Sequence, residues 1–133
     1  MAVVSSGKPA TTDYRRVSSF EGGACVRLKL HTGRTHQIRV HMAHIGHPLV
    51  GDPAYGKRLS KSLVSDREQR ETMEQFPRQA LHAFQLGLQH PENGNEVHWQ
   101  VGLPSDVLKL IEACHGAKTP DIDQVLASPW RPL

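Results

Sequence analysis

A chain of 133 residues, 38% of them hydrophobic, can bury one small core but not two, and a formal charge of +3 is too small to make it uniformly adhesive to nucleic acid or membrane. Cys25 and Cys114 are only two, with no C-x-x-C spacing, and in a cytoplasmic protein they are most simply reduced, semi-buried residues. Nothing at the N-terminus has the apolar run of a signal peptide and no stretch is long enough to span a bilayer as a helix, so the expected compartment is the cytoplasm.

The first predicted element is a strand over Thr11–Phe20, whose Thr, Tyr, Val and Phe favour extended backbone. Glu21-Gly22-Gly23 is a hairpin signal, and Ala24–His31 alternates Val26, Leu28 and Leu30 with Arg27, Lys29 and His31. One face of that strand is expected to be core and the other basic. For Arg27 and Lys29 an ordinary solvated sheet face is at least as good a reading as contact with a phosphate backbone.

Thr32-Gly33 is then a turn, Thr35 a helix N-cap, and Ile38, Met42 and Ile45 form an apolar stripe at i, i+4 and i+7. Gly46 and Pro48 stop this helix. At barely three turns it must be held by packing, which puts the stripe inside. Arg34, Gln37, His41 and His44 fall on other faces, and His36 and Arg39 are neighbours at i, i+3. Around them, residues 24–58 carry +5, against +1 for residues 1–23, a balance over 59–78 and −3 for 79–133. A basic stretch beside a turn, a helix start and a Gly-rich loop suits a phosphate backbone, although a surface arginine on an amphipathic helix is the commoner meaning of a residue like Arg39.

His47–Gly56 is too rich in Gly and Pro to be regular. Its Asp52 is the only carboxylate in the basic stretch, and it is expected to cap a turn or to pair with a nearby arginine rather than to act as a nucleophile. Tyr55 has the chemistry to stack on a base, while a packed loop tyrosine is the commoner outcome. Lys57–Phe76 reads as a flexible loop leading into an exposed, charged helix, with Ser65 as cap and Glu68 completing a capping box. Arg78–Gln89 favours strand near its end, 90–95 is a turn, and Glu96–Leu103 is a strand with Val97, Trp99, Val101 and Leu103 on one face. Pro104-Ser105-Asp106 opens a helix whose Val107, Leu108, Ile111 and Cys114 face inward and which Gly116 ends, leaving 117–133 as an extended tail.

His31, His36, His41, His44 and His47 place five of the nine histidines within seventeen residues, which raises a metal reading. The three-residue steps without an H-E-x-x-H pattern, and the Gly46 and Pro48 breaks, count against it. A histidine-dependent metal hydrolase is therefore a minor expectation.

The run GRTHQIRVHMAHIGHPLVGDPAYG, the later RQALHAFQLGLQHP (Arg78–Pro91) and the earlier GKPATTDYRRV (Gly7–Val17) closely resemble the RluA/RluD-type pseudouridine synthases that modify ribosomal RNA. The resemblance implies a reaction without cofactor or metal, in which a uridine is flipped out, its glycosidic bond broken, and the base rotated and rejoined through carbon. It also implies an essential aspartate in an H-R-L-D-x-x-T-S-G motif and a stacking tyrosine on the following strand, neither of which has a match in these residues. Arg39 falls on the family's basic residue, expected to orient that aspartate and keep it ionised. Arg34, Thr35, His36, Gln37, His41 and Tyr55 fall around the cleft, and Leu81 on an apolar residue lining it.

The expectation is an α/β fold of the α+β type: a mostly antiparallel mixed sheet of four strands with two or three flanking helices, resembling half of the pseudouridine synthase catalytic fold. Residues 1–116 would be the C-terminal half of that catalytic domain, with Met1 an internal methionine of a longer protein or the chain a fragment of one. The chain alone is expected to be inactive and its partner to be RNA, most simply large-subunit ribosomal RNA, with no membrane partner and no small-molecule cofactor. An RNA-binding module or pseudoenzyme is the main alternative.

Overall fold

In the computed structural model, residues 2–5, 8–31, 36–54 and 63–130 are described. Strands β1 (Ala2–Ser5), β2 (Lys8–Phe20) and β3 (Gly23–Leu30) form an antiparallel sheet in that order. The β2–β3 hairpin stands where the sequence places it, with β2 starting three residues earlier than expected. β1 was not anticipated, because four residues give too little alternation to detect.

Gly22 makes the turn with φ +86°, and a Cβ there would lie 2.5 Å from Val64 Cγ2, so the turn needs glycine both for its backbone and for its neighbour. The pairing Arg16↔Val26 is followed by Ser18↔Cys25, a bulge that leaves out Val17. One extra residue reverses which face the following side chains occupy. Ser18 and Phe20 thereby join the face of Cys25. There Phe20 and Cys25 pack against the core, and Ser18 Oγ lies 2.7 Å from His115 Nε2. His115 Nδ1 donates to the Ile111 carbonyl at 2.7 Å, which fixes the ring with Nε2 turned to the Ser18 hydroxyl.

The core gathers Val107, Leu110, Ile111 and Cys114 of helix α3 (Ser105–His115) with Met73 of helix α2 (Arg67–Gln75), Val64 and Phe76. On α3, Leu110 takes the buried place expected for Leu108. The α2 segment corrects a second expectation. Its charge pattern pointed to a solvated helix, yet Gln69 and Met73 are buried and Gln69 Nε2 donates to the Glu21 carbonyl at 3.0 Å. The cap is Asp66 rather than Ser65, its carboxylate accepting from the N–H groups of Glu68 (2.9 Å) and Gln69 (3.2 Å).

Strands β4 (Gln85–Gln89) and β5 (Glu96–Gln100) make the second hairpin, pairing Leu86 with Trp99 and Leu88 with Val97. Much of the apolar surface of this hairpin is open: Leu86, Trp99 and Val101 are 59%, 51% and 56% exposed. The 117–133 stretch, expected to be extended, contains helix α4 (Ile122–Ala127), capped by Asp121, which accepts from Gln124 N–H at 3.2 Å. Arg27 explains why that segment is ordered. Its guanidinium donates to the carbonyls of Val125 (3.2 Å) and Ser128 (2.6 Å) and lies 5.1 Å from the Phe84 ring centre and 5.9 Å from that of Trp130. Arg27 is therefore a clamp at the end of α4 rather than a solvated face residue.

The fold is α+β as expected, with five strands and, counting helix α1 below, four α-helices among the described residues, and every described strand pairing is antiparallel. No helix among the described residues is long and apolar enough to cross a membrane.

Candidate functional site

Helix α1 (Gln37–His44) closes as its sequence dictates. Gly46, at φ +85°, donates to the Ala43 carbonyl at 3.0 Å and His47 N–H to that of Met42 at 2.8 Å, the paired bonds of a Schellman stop. At the other end His36 is the N-cap, in the left-handed region at φ 52° and without a side-chain cap bond. Arg34, Thr35 and Tyr55 lie outside the described residues.

The buried side of α1 differs from the expected one. Met42 is inside, but Ile38 and Ile45 are only half-buried, whereas Gln37 and His41 are 5% and 2% exposed. The cause is Thr12 on β2, fully buried beneath the helix. A buried hydroxyl must be hydrogen-bonded, and a purely apolar stripe would leave it stranded. Gln37 Nε2 donates to Thr12 Oγ1 at 2.9 Å and to the Thr11 carbonyl at 2.8 Å, and His41 Nδ1 lies 2.7 Å from Thr12 Oγ1. Burial holds the His41 imidazole below its ordinary pKa. Gln37 and His41, expected on the open faces of α1, thus dock it on the sheet. Thr12 was missed because a threonine in a strand carries no signal of its own.

On another side of α1, Arg39 meets Asp52. Its Nε donates to Oδ2 at 2.9 Å and Nη2 to Oδ1 at 2.8 Å, a bidentate pair whose side chains are 12% and 1% exposed. Asp52 Oδ1 also accepts from Ala54 N–H at 3.0 Å. Asp52 therefore does both things its sequence position implied, capping a turn and pairing with an arginine.

The loop that carries Asp52 is fixed from behind. Ala80 N–H donates to the Val50 carbonyl at 2.8 Å, and Gly51, at φ +75°, runs so close to Arg78 that a Cβ would fall 2.1 Å from the Arg78 carbonyl oxygen. Arg78 is in turn bidentate to Asp106 at the start of α3, through Nε at 3.2 Å and Nη2 at 3.0 Å. Leu81 is the next residue after Ala80 and so belongs to the same tethered segment. The structure thus pairs Arg39 with Asp52 and ties the loop of Asp52 to the segment that leads to Leu81, while Gln37 and His41 turn to Thr12.

The clustered histidines disperse. His31 bonds Asp13 across the β2–β3 ladder and, through that bond, lowers the Asp13 pKa. His41 turns inward to Thr12, and His36, His44 and His47 are exposed. Among the described residues no three His, Cys, Asp or Glu side chains converge as metal ligands would.

The sequence signature described as RNA pseudouridylate synthase matches residues 2–44, which carry β2, β3 and α1. The chain is 50% identical over 113 residues to ribosomal large subunit pseudouridine synthase D of Pasteurella multocida, covering 85% of this chain and 35% of that protein. It is 51% identical over 111 residues to the protein of the same name from Pseudomonas aeruginosa, covering 84% and 35%. With that of Escherichia coli K12 it shares 52% over 112 residues, covering 84% and 34%. The chain spans about a third of the length of these curated relatives.

Proposed function

We infer that this chain belongs to the RNA pseudouridylate synthase family, and from that premise we propose that its residues 1–116 form the C-terminal half of a catalytic domain converting uridine to pseudouridine in large-subunit ribosomal RNA. Its proposed partner is that RNA and its compartment the cytoplasm. The observation that carries the reading is the Arg39–Asp52 pair, because it sets a guanidinium in one orientation on a helix inside the matched signature.

The reaction needs a carboxylate that stays ionised and correctly aimed while the glycosidic bond breaks and re-forms through carbon. The H-R-L-D motif that supplies it in the family is not among these 133 residues. Arg39 is the residue assigned to hold that carboxylate. Pairing with Asp52 through Nε and Nη2 fixes the plane of the guanidinium, and with it the direction from which a carboxylate would be met. Asp52 then acts as a brace, turning a long mobile side chain into a fixed donor before the substrate arrives. Gln37 and His41 keep α1 seated. Arg34, Thr35, His36 and Tyr55, next to this pair in sequence, are assigned to RNA contact, and Leu81 to the apolar wall under the flipped base.

A chimera tests this directly: the matched residues of the Escherichia coli relative are replaced by this stretch. The chimera should form pseudouridine in ribosomal RNA, detected by mass spectrometry after carbodiimide labelling, and the 133-residue chain alone should form none. In the chimera, Arg39→Ala should lower the single-turnover rate at saturating enzyme by roughly a hundredfold or more with RNA affinity nearly unchanged. Arg39→Lys should restore only part of the rate. A normal saturated rate with weakened binding, and a salt dependence shallower by about one unit, would instead make Arg39 a phosphate contact.

A further inference from the structure

We propose that Arg78 is a positioning residue for the Arg39–Asp52 pair, acting as a latch that ties the loop carrying Asp52 to the core helix α3. The proposal rests on the site described above for its functional meaning, but its geometry stands by itself.

One end of the latch is anchored in the core. Val107, Leu110 and Ile111 bury α3, and Asp106 sits in its first turn, where its Oδ1 also accepts from Val107 N–H at 2.8 Å. That carboxylate receives the Arg78 fork, and the guanidinium lies 5.6 Å from the ring centre of Phe76, itself a core residue. A planar guanidinium bonded twice to one carboxylate and placed over a ring has little freedom, so the backbone of residue 78 is fixed as well.

The other end is a backbone contact. The Arg78 carbonyl oxygen lies where a Cβ on Gly51 would come within 2.1 Å, and two residues on, Ala80 N–H bonds the Val50 carbonyl. Gly51 is adjacent to Asp52, whose carboxylate orients Arg39 from 2.8 and 2.9 Å. A displacement of residue 78 is therefore transmitted through Gly51 to Asp52 and on to Arg39. Arg78 stands about 40% exposed, so its ion pair contributes little to global stability. Its consequence is placement.

The 133-residue chain itself reports this through the Arg39 Nε–H resonance in a nitrogen-15 correlation spectrum, assigned by its loss in Arg39→Lys. With Asp52 bound, that proton should give a resolved, slowly exchanging signal away from those of solvent-exposed arginines. Arg78→Ala should remove the signal from that position, as should Gly51→Ala, which pushes on the same contact from the opposite side. Arg78→Lys should restore part of it. Leu110→Ala is the control: it should lower the unfolding midpoint while leaving the Arg39 signal in place. The proposal is overturned if Arg78→Ala leaves the Arg39 signal unchanged, or if Leu110→Ala in the still-folded chain abolishes it equally. No RNA or turnover enters the measurement, so a chimera that fails to make pseudouridine would overturn the functional reading and leave this result standing.

Discussion

Removing one member of the Arg39–Asp52 pair should cost far more than removing both. The Asp52 side chain is 1% exposed and that of Arg39 12%, so both charges are largely withdrawn from water. Breaking such a pair from one side leaves a desolvated charge and typically costs about 3–5 kcal/mol, whereas replacing both partners by apolar groups of similar size is often close to neutral. A small domain has a total stability of about 5–15 kcal/mol, so either single change consumes a large part of it. Arg39→Met and Asp52→Leu should each lower the urea midpoint by about 2–3 M, taking a slope of about 1.5 kcal/mol per M. The double variant should lose less than either single one, so at least about 3 kcal/mol of the summed loss should be recovered, a coupling well above the scatter of independent sites. Urea titrations followed by far-UV circular dichroism measure all four corners of the cycle, and added salt should change the coupling little because the pair is buried. If the single losses simply add to within about 0.5 kcal/mol, the pair does not hold the loop and its role as a brace fails.

Two further outcomes follow from buried titratable groups. Burial lowers the His41 pKa, so the unfolded chain, whose histidine titrates near 6.5, takes up a proton that the folded chain resists. Stability present above about pH 6.5 should therefore be lost as the pH falls through the lower folded value, and the urea midpoint should drop between pH 7.5 and 5.5 by more in the parent than in His41→Asn. Cys114 is pushed up to about 11 from 9.0, first by burial and then by Cys25 beside it. Its thiolate fraction at pH 8 is then about a hundredfold below that of the unfolded chain, and iodoacetamide should alkylate it correspondingly slowly until urea is added; equal rates in both states would contradict the burial seen here.

Most of the local structure was written in the sequence by itself. The alternation of Val26, Leu28 and Leu30 with Arg27 and Lys29 specifies a strand, Gly22 a turn, and Gly46 with Pro48 the end of α1, because each depends on the backbone preferences of a few neighbouring residues. The motifs around Arg39 were likewise legible, and so was the pairing of Asp52, the one carboxylate in a basic stretch. What only the tertiary structure decided are the contacts between segments far apart in the chain. The inward turn of Gln37 and His41 was illegible because its cause, the Thr12 hydroxyl, lies 25 and 29 residues away. The bulge after Arg16 reversed Ser18 and Phe20 toward the core. Arg27, which by pattern belonged to solvent, found the carbonyls at the end of α4 about a hundred residues later. Periodicity tells which face of an element differs from the other. It cannot tell what lies across from that face, and buried polar groups are placed by their partners rather than by their neighbours in sequence.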